Sequence, residues 1–266
     1  MNRLIKFSGF VLFLVLLSCN ENKGKTPYTV YDSNGIIYNA PFEGINAFLT
    51  YQEKVEKRTD LNNSNSLFYT HNSGSTIQSF AKLDKSGSVI KAELMEVFED
   101  GKQITYIFYF LNDILSMAQI QKNETLNCLN YSIFFNSSQS PIAMYSHKSK
   151  ISSGSETSAF NLIKNSRSII NEIEKALDRI SEIQNQEGRY CLKFIGFNEA
   201  YGKKYIEFGN ENYSTNLCFI PQEPLVQKIQ SNPEPYRNKT FNIQFQEITE
   251  ASGFSYQLLT KITEMH

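Results

Sequence analysis

The chain has 266 residues, 41% of them apolar and 20% charged, the make-up of ordinary globular protein that folds without metal or heavy cross-linking. Its 26 basic and 27 acidic residues give a formal net charge of −1, which gives no sign of the basic surface that nucleic-acid binding demands.

The N-terminus carries Arg3 and Lys6, an apolar stretch over 7–17, and then Leu16-Leu17-Ser18-Cys19. That is the layout of a secretory signal. The apolar stretch is about half the ~20 residues that a membrane-crossing helix needs, and the polar run over 20–25 stops it. The tetrapeptide ending in Cys19 resembles the lipobox of bacterial lipoproteins. The resemblance implies that residues 1–18 are a signal peptide and that Cys19 becomes the acylated first residue of the mature chain. Each buried methylene contributes ~0.8 kcal/mol, so several acyl chains on one residue hold a protein at a membrane where a single chain does not. Removing Arg3 and Lys6 from the 26 basic residues leaves 24 against 27 acidic ones, a formal charge of −3. The expected location is the cell envelope. Asn20 stands where an aspartate retains lipoproteins at the inner membrane of enteric bacteria, which favours the outer membrane, periplasmic or surface-facing.

Residues 19–27 read as a lipidated polar tether, and 28–150 as an antiparallel β-meander domain with an N-terminal helix. A strand pair opens it, with Val30 and Tyr31 separated from Ile36, Ile37 and Tyr38 by Asp32-Ser33-Asn34-Gly35. Ile45, Phe48, Leu49, Gln52 and Val55 then share one face behind Pro41, predicting a helix over 41–58. Residues 61–75, rich in Asn and Ser, read as a loop. Strands follow over 89–99, 104–111, 114–122, 128–135 and 142–147. They are punctuated by Asp84-Lys85-Ser86-Gly87, Asp100-Gly101, Asn112-Asp113 and Asn136-Ser137-Ser138-Gln139. Such short turns imply antiparallel neighbours. Tyr106-Ile107-Phe108-Tyr109-Phe110 puts large side chains on both faces of its strand. One face is expected to pack on the helix over 41–58. The other is either enclosed by a second layer or a groove for an apolar ligand.

After a Ser and Gly linker over 152–155, Phe160, Ile163, Ile170, Ile173, Leu177, Ile180 and Ile183 recur at spacings of three, four or seven. This predicts one long amphipathic helix within 151–188, packed along the first module and leading into the second. The last module, 189–266, orders its elements as strands over 189–197, 204–208 and 215–220, a helix over 224–231, and strands over 240–248 and 254–264. Phe241, Ile243 and Phe245 point one way while Asn242, Gln244 and Gln246 point the other. Three strands, a helix and two strands resemble the OB-fold, a small Greek-key barrel. A four- or five-stranded sheet with one packed helix is the competing arrangement. The expected fold class is therefore α+β, made of a meander with a packed helix, a long linker helix and a small OB-like β-barrel. With the turn Glu99-Asp100-Gly101-Lys102, the whole combination is similar to exported lipoproteins of unknown function in Bacteroidetes-type bacteria, a likeness that brings no catalytic residues with it.

Little in the sequence points to catalysis or metal. His71 and His147 lack neighbouring ligands, and His266 is the final residue. Two Ser-x-x-Lys matches, Ser79 to Lys82 and Ser88 to Lys91, fall on strands, whereas the motif of penicillin-recognising enzymes opens a helix. Gly24-Lys25-Thr26 lacks the upstream glycine of a phosphate loop. Glu93, Glu96, Glu99 and Asp100 do not follow calcium-loop spacing, and no metal or other cofactor is expected. Asn123-Glu124-Thr125 and Asn238-Lys239-Thr240 have the form of glycosylation acceptors, which a bacterial lipobox makes irrelevant. With Cys19 assigned to lipid, Cys128, Cys191 and Cys218 remain. Cys191 and Cys218 are the candidate disulfide, with buried thiols as the alternative.

The resemblance to a small barrel implies a ligand surface on its second and third strands and the adjoining loops. It maps to Tyr201, Lys203, Tyr205, Tyr213 and Asn216, with Ser252 and Phe254 in the last loop. Tyrosines beside a lysine stack on a sugar ring or anchor a protein partner. The leading expectation is a membrane-anchored, non-enzymatic binding protein of the envelope whose partner is a protein or a glycan, and not nucleic acid. The alternatives are a carrier or sensor of a small apolar ligand, held between the helix over 41–58 and the meander, and a hydrolase with an unfamiliar carboxylate site.

Overall fold

A computed structural model of the chain describes residues 28–31, 37–40, 44–124, 127–150, 161–164 and 166–265. The signal segment, Cys19, the tether, the Asp32 to Gly35 turn and the linker over 152–155 lie outside the described residues. The fold is mixed α/β, with most strands in one open, largely antiparallel sheet and few helices. Two compact units divide it. The first runs to Asn65 and resumes over Ser79–Ser181; the second comprises Ser66–Gln78 and Glu182–His266.

In the first unit, β1 (Tyr28–Tyr31) pairs with β2 (Ile37–Ala40), and α1 spans Gly44–Glu56. Strands β5 (Thr76–Leu83), β6 (Val89–Val97), β7 (Gln103–Leu111), β8 (Ile114–Asn123), β9 (Asn127–Phe135) and β10 (Pro141–Lys150) form the expected meander in sequence order. Three of its turns share one construction. In the hairpins closed by Gly87, Gly101 and Gln139, a backbone N–H and C=O pair brackets a three-residue loop whose last residue has positive φ. Carboxylate or amide oxygens of Asp84, Asp100 and Asn136 accept from backbone N–H groups two residues on. Asn112 and Asp113 instead make a two-residue turn, both at positive φ, with Leu111 opposite Ile114.

β7 is buried on both faces. On one side Ile107 and Tyr109 join Met117, Phe134 and Ile142 under Phe48 and Val55 of α1, in one apolar cluster. On the other side lies α2 (Arg167–Asn185). Glu172 accepts from Tyr106 Oη at 2.9 Å and pairs with Lys122, while Arg179 pairs with Glu96 at 3.1 Å. Ile173, Ala176 and Ile180 of this helix are buried. The aromatic face opposite α1 is thus enclosed by a second layer.

Two sequence expectations fail in this unit. The long helix begins at Arg167, because Asn161–Leu162 form β11 against β10 and Ile163 donates its N–H to the Met144 carbonyl. The segment over 61–75 is not all loop: Asn62–Asn65 form β3 against the C-terminal half of β5. Backbone pairing at an edge does not need alternating apolar side chains, so a run of Asn and Ser carries no sign of it.

In the second unit, β12 (Lys193–Ala200), β13 (Lys203–Gly209) and β14 (Tyr213–Cys218) are antiparallel. Next come α3 (Pro224–Ser231) and the hairpin of β15 (Phe241–Thr249) with β16 (Ser255–Glu264). The Glu223 carboxylate caps α3 by accepting from Val226 N at 2.8 Å, and Pro224 fills the first helical position. Phe194, Ile206, Phe208, Leu217, Val226, Ile229, Phe241 and Ile243 make the core. The register of the hairpin shifts between Gln244 and Phe245, where β16 carries one extra residue, Thr260, and Phe245 is only half-buried.

The expected small barrel is not closed. β14 divides one edge between two neighbours: Tyr213 and Ser214 pair with β4 (Tyr69–His71), and Cys218 pairs in parallel with Leu258 of β16. Between β12 and β15 there is one bridge, Lys193 to Thr240. The sheet therefore continues into β4 instead of returning on itself.

Candidate binding surface

β13 and its neighbours sort their side chains by alternation. Ile206, Phe208, Leu217 and Thr215 face the core, so Lys203, Tyr205 and Glu207 face outward. Cross-strand partners share that outer face: Asn198 and Cys218 beside Tyr205, and Asn216 beside Glu207. The Asn198 amide donates to Asn216 Oδ1 at 2.8 Å, joining β12 to β14 across β13.

At one end of this face two hairpin turns meet. Tyr201 and Gly202 turn β12 into β13, both at positive φ. Ser252 and Gly253 turn β15 into β16, and Ser252 Oγ accepts from Phe254 N. Tyr201 is 86% exposed, yet its ring lies 5.7 Å from that of Phe254, which lies 5.9 Å from Tyr256. Three rings thus form a strip. Lys203 Nζ sits 4.5 Å over the Tyr256 ring and 2.6 Å from a Glu250 oxygen. That carboxylate raises the lysine above its ordinary value. The lysine is held in place with its charge balanced.

The structure therefore brings Tyr201, Lys203, Asn216, Ser252 and Phe254 to one side of the second unit, and withholds two other candidates from solvent. Tyr205 is covered, and burial pushes its hydroxyl up. Tyr213 is a core residue, its ring 4.8 Å from Tyr190 and 5.0 Å from His71. Tyr256, Glu250 and Asn198 belong to the face and escaped sequence reasoning. Tyr256 was legible in principle, since it follows Phe254 by two residues at the start of β16.

Cys191 and Cys218 do not pair; with Cys128 they are free thiols, and burial pushes the Cys218 thiol up. His71 bonds Ser73 Oγ through Nδ1 at 2.8 Å, and His147 lies on β10 opposite Asn130. Among the described residues no group of three His, Cys, Asp or Glu is arranged to hold a metal.

Several titratable groups of the first unit are engaged with one another. Glu56, the last residue of α1, accepts from Tyr109 Oη at 2.7 Å and from Lys91 Nζ at 2.6 Å, and Lys91 also meets Glu93 at 2.5 Å. Lys82 Nζ lies 3.7 Å from Glu56, and Gln52 bonds both Tyr109 and Gln119. Both lysines of the Ser-x-x-Lys matches thus turn to Glu56. Three of the four acids of the acidic run are likewise partitioned: Glu93 on Lys91, Glu96 on Arg179 and Asp100 on Lys102. This network fastens α1 to the sheet.

Compared with known protein families, curated proteins and solved structures, the chain matches none. Among the described residues no helix is long and apolar enough to cross a membrane.

Proposed function

We propose that the chain is a membrane-anchored lipoprotein of the cell envelope, in the outer membrane, that acts as a non-enzymatic binding protein. Acyl chains on Cys19 hold it, and the Tyr201–Phe254 strip meets a protein or glycan partner. The observation that carries this reading is Tyr201. A large ring 86% exposed at a turn, yet held against a second ring, presents contact area with little freedom left to lose on binding. The order of strand pairs supports an OB-like reading of the second unit: β14 parallel to β16, and β12 bridged to β15. A carrier of an apolar ligand would have to open the α1 interface, where Phe48, Val55, Tyr109 and Phe134 already pack together. The aromatic strip needs no such rearrangement.

The test has two arms. Wild-type chain is expected in the membrane fraction, and the Cys19→Ala chain in the wash; equal membrane retention of both overturns the lipid anchor. Pull-down from native membranes is expected to recover one partner with wild-type chain and to lose it with Tyr201→Ala/Phe254→Ala. Equal recovery by both overturns the assigned surface.

A further inference from the structure

The outer face of the second unit combines three features that narrow the chemistry of what it binds. The first is the ring strip from Tyr201 through Phe254 to Tyr256. The second is the amide pair Asn198 and Asn216, both exposed and joined by one hydrogen bond that leaves further donor and acceptor capacity on each side chain. At ~3.3 Å per residue, Asn198 lies about 10 Å along the chain from Tyr201. The third is electrical: Lys203, the cation on the strip, is neutralised by Glu250 at 2.6 Å and rests on the Tyr256 ring. A face that binds an anion leaves its cation available, and this one does not.

A ligand complementary to all three has flat C–H surfaces for the rings, neutral hydroxyls or amides for the asparagines, no net charge, and a length of several ring units. We infer that the partner of this face is an uncharged oligosaccharide, laid from the Tyr201 turn toward Asn198 and Asn216. The inference rests on the binding reading above and deepens it. A protein partner fits less well. Protein hot spots are aromatic anchors closed in desolvated pockets, whereas Tyr201 stands in the open at a turn and the face beyond it is amide and carboxylate.

The experiment is saturation-transfer NMR with the full chain in a non-glycosidic detergent. The probes are cellotriose, maltotriose, mannotriose, galactotriose and triacetylchitotriose, with trigalacturonic acid as the anionic comparison. Transfer from aromatic protons to the ring C–H protons of at least one neutral sugar is expected, unchanged by raising salt. Tyr201→Ala and Asn216→Ala are each expected to weaken that sugar about tenfold. Their amide spectra, otherwise like wild type, show that the fold is intact. Transfer to none of the neutral sugars, or only to the anionic one, overturns the inference. A membrane protein captured through Tyr201 without sugar transfer overturns the saccharide and keeps the binding reading; the absence of both overturns both.

Discussion

Gln139 occupies the position that the otherwise equal turns ending at Gly74, Gly87, Gly101 and Gly253 give to glycine. Its φ is 62°, and its side-chain nitrogen is buried without a hydrogen-bond partner. A side chain in the left-handed region and an unpaired amide both cost folding free energy, so Gln139→Gly is expected to stabilise the chain by about 1 kcal/mol. The urea midpoint should rise with unchanged slope; a lowered midpoint refutes the account of the turn. Glu56 gives a second test at this scale. Burial alone raises its carboxyl, but hydrogen bonds from Lys91 and Tyr109, with the charges of Lys91 and Lys82, outweigh burial and hold it below the ordinary range. A carboxyl depressed in the folded chain contributes fully above its unfolded value and loses that contribution as pH falls through the folded one. Urea midpoints should therefore decline below about pH 4.5, and Glu56→Gln should remove part of that decline. An identical pH profile in the variant assigns the effect elsewhere.

At the scale of the element, α1 is held by the Phe48 and Val55 side chains and by the network at its last residue. Phe48 is 1% exposed, 5.1 Å from the Phe134 ring. Phe48→Ala should cost about 3 kcal/mol, read from urea unfolding; a loss under about 1 kcal/mol means that the helix collapses into the space left. Elements of this kind were legible. Strands β6 to β10 fall within about two or three residues of their predicted limits, because turn residues bracket them and apolar side chains fill them. The helix at Pro224–Ser231 shows both its cap and its proline in the sequence. β3 and β4 were not legible, since β3 is a run of Asn and Ser without apolar alternation and β4 is a three-residue strand set between β5 and β14, the latter far along the chain. The binding face divides in the same way. Tyr201, Lys203 and Phe254 follow from being in turns and at strand starts, which element order locates. Tyr213 was misplaced because Tyr69 and Tyr190, which bury it, come from distant segments whose arrival no local pattern announces.

At the scale of the whole molecule, the boundary between modules does not follow the sequence. The expected module over 189–266 lacks Ser66–Gln78, which belongs to it in space. That segment supplies β4 to the edge of β14, the Tyr69 ring to Tyr190 and Tyr213, and the Phe68 carbonyl to the Thr215 hydroxyl at 2.7 Å. Gln257 returns the contact by accepting from Phe68 N and donating to the Ser66 carbonyl. A fragment over 182–266 should therefore give a poorly dispersed NMR spectrum, with dispersion restored when residues 66–78 are fused to it. A dispersed spectrum from the bare fragment shows that β4 is dispensable. The insertion also bears on how the chain is made. More than a hundred residues separate His71 from its partner Tyr213, so in a chain delivered from its N-terminus β4 arrives long before the strand it pairs with. Its open edge must wait for the end of delivery, and during that interval a passing strand can be captured in place of β14. Any factor that escorts this protein from its exit site is thus expected to grip residues 66–78.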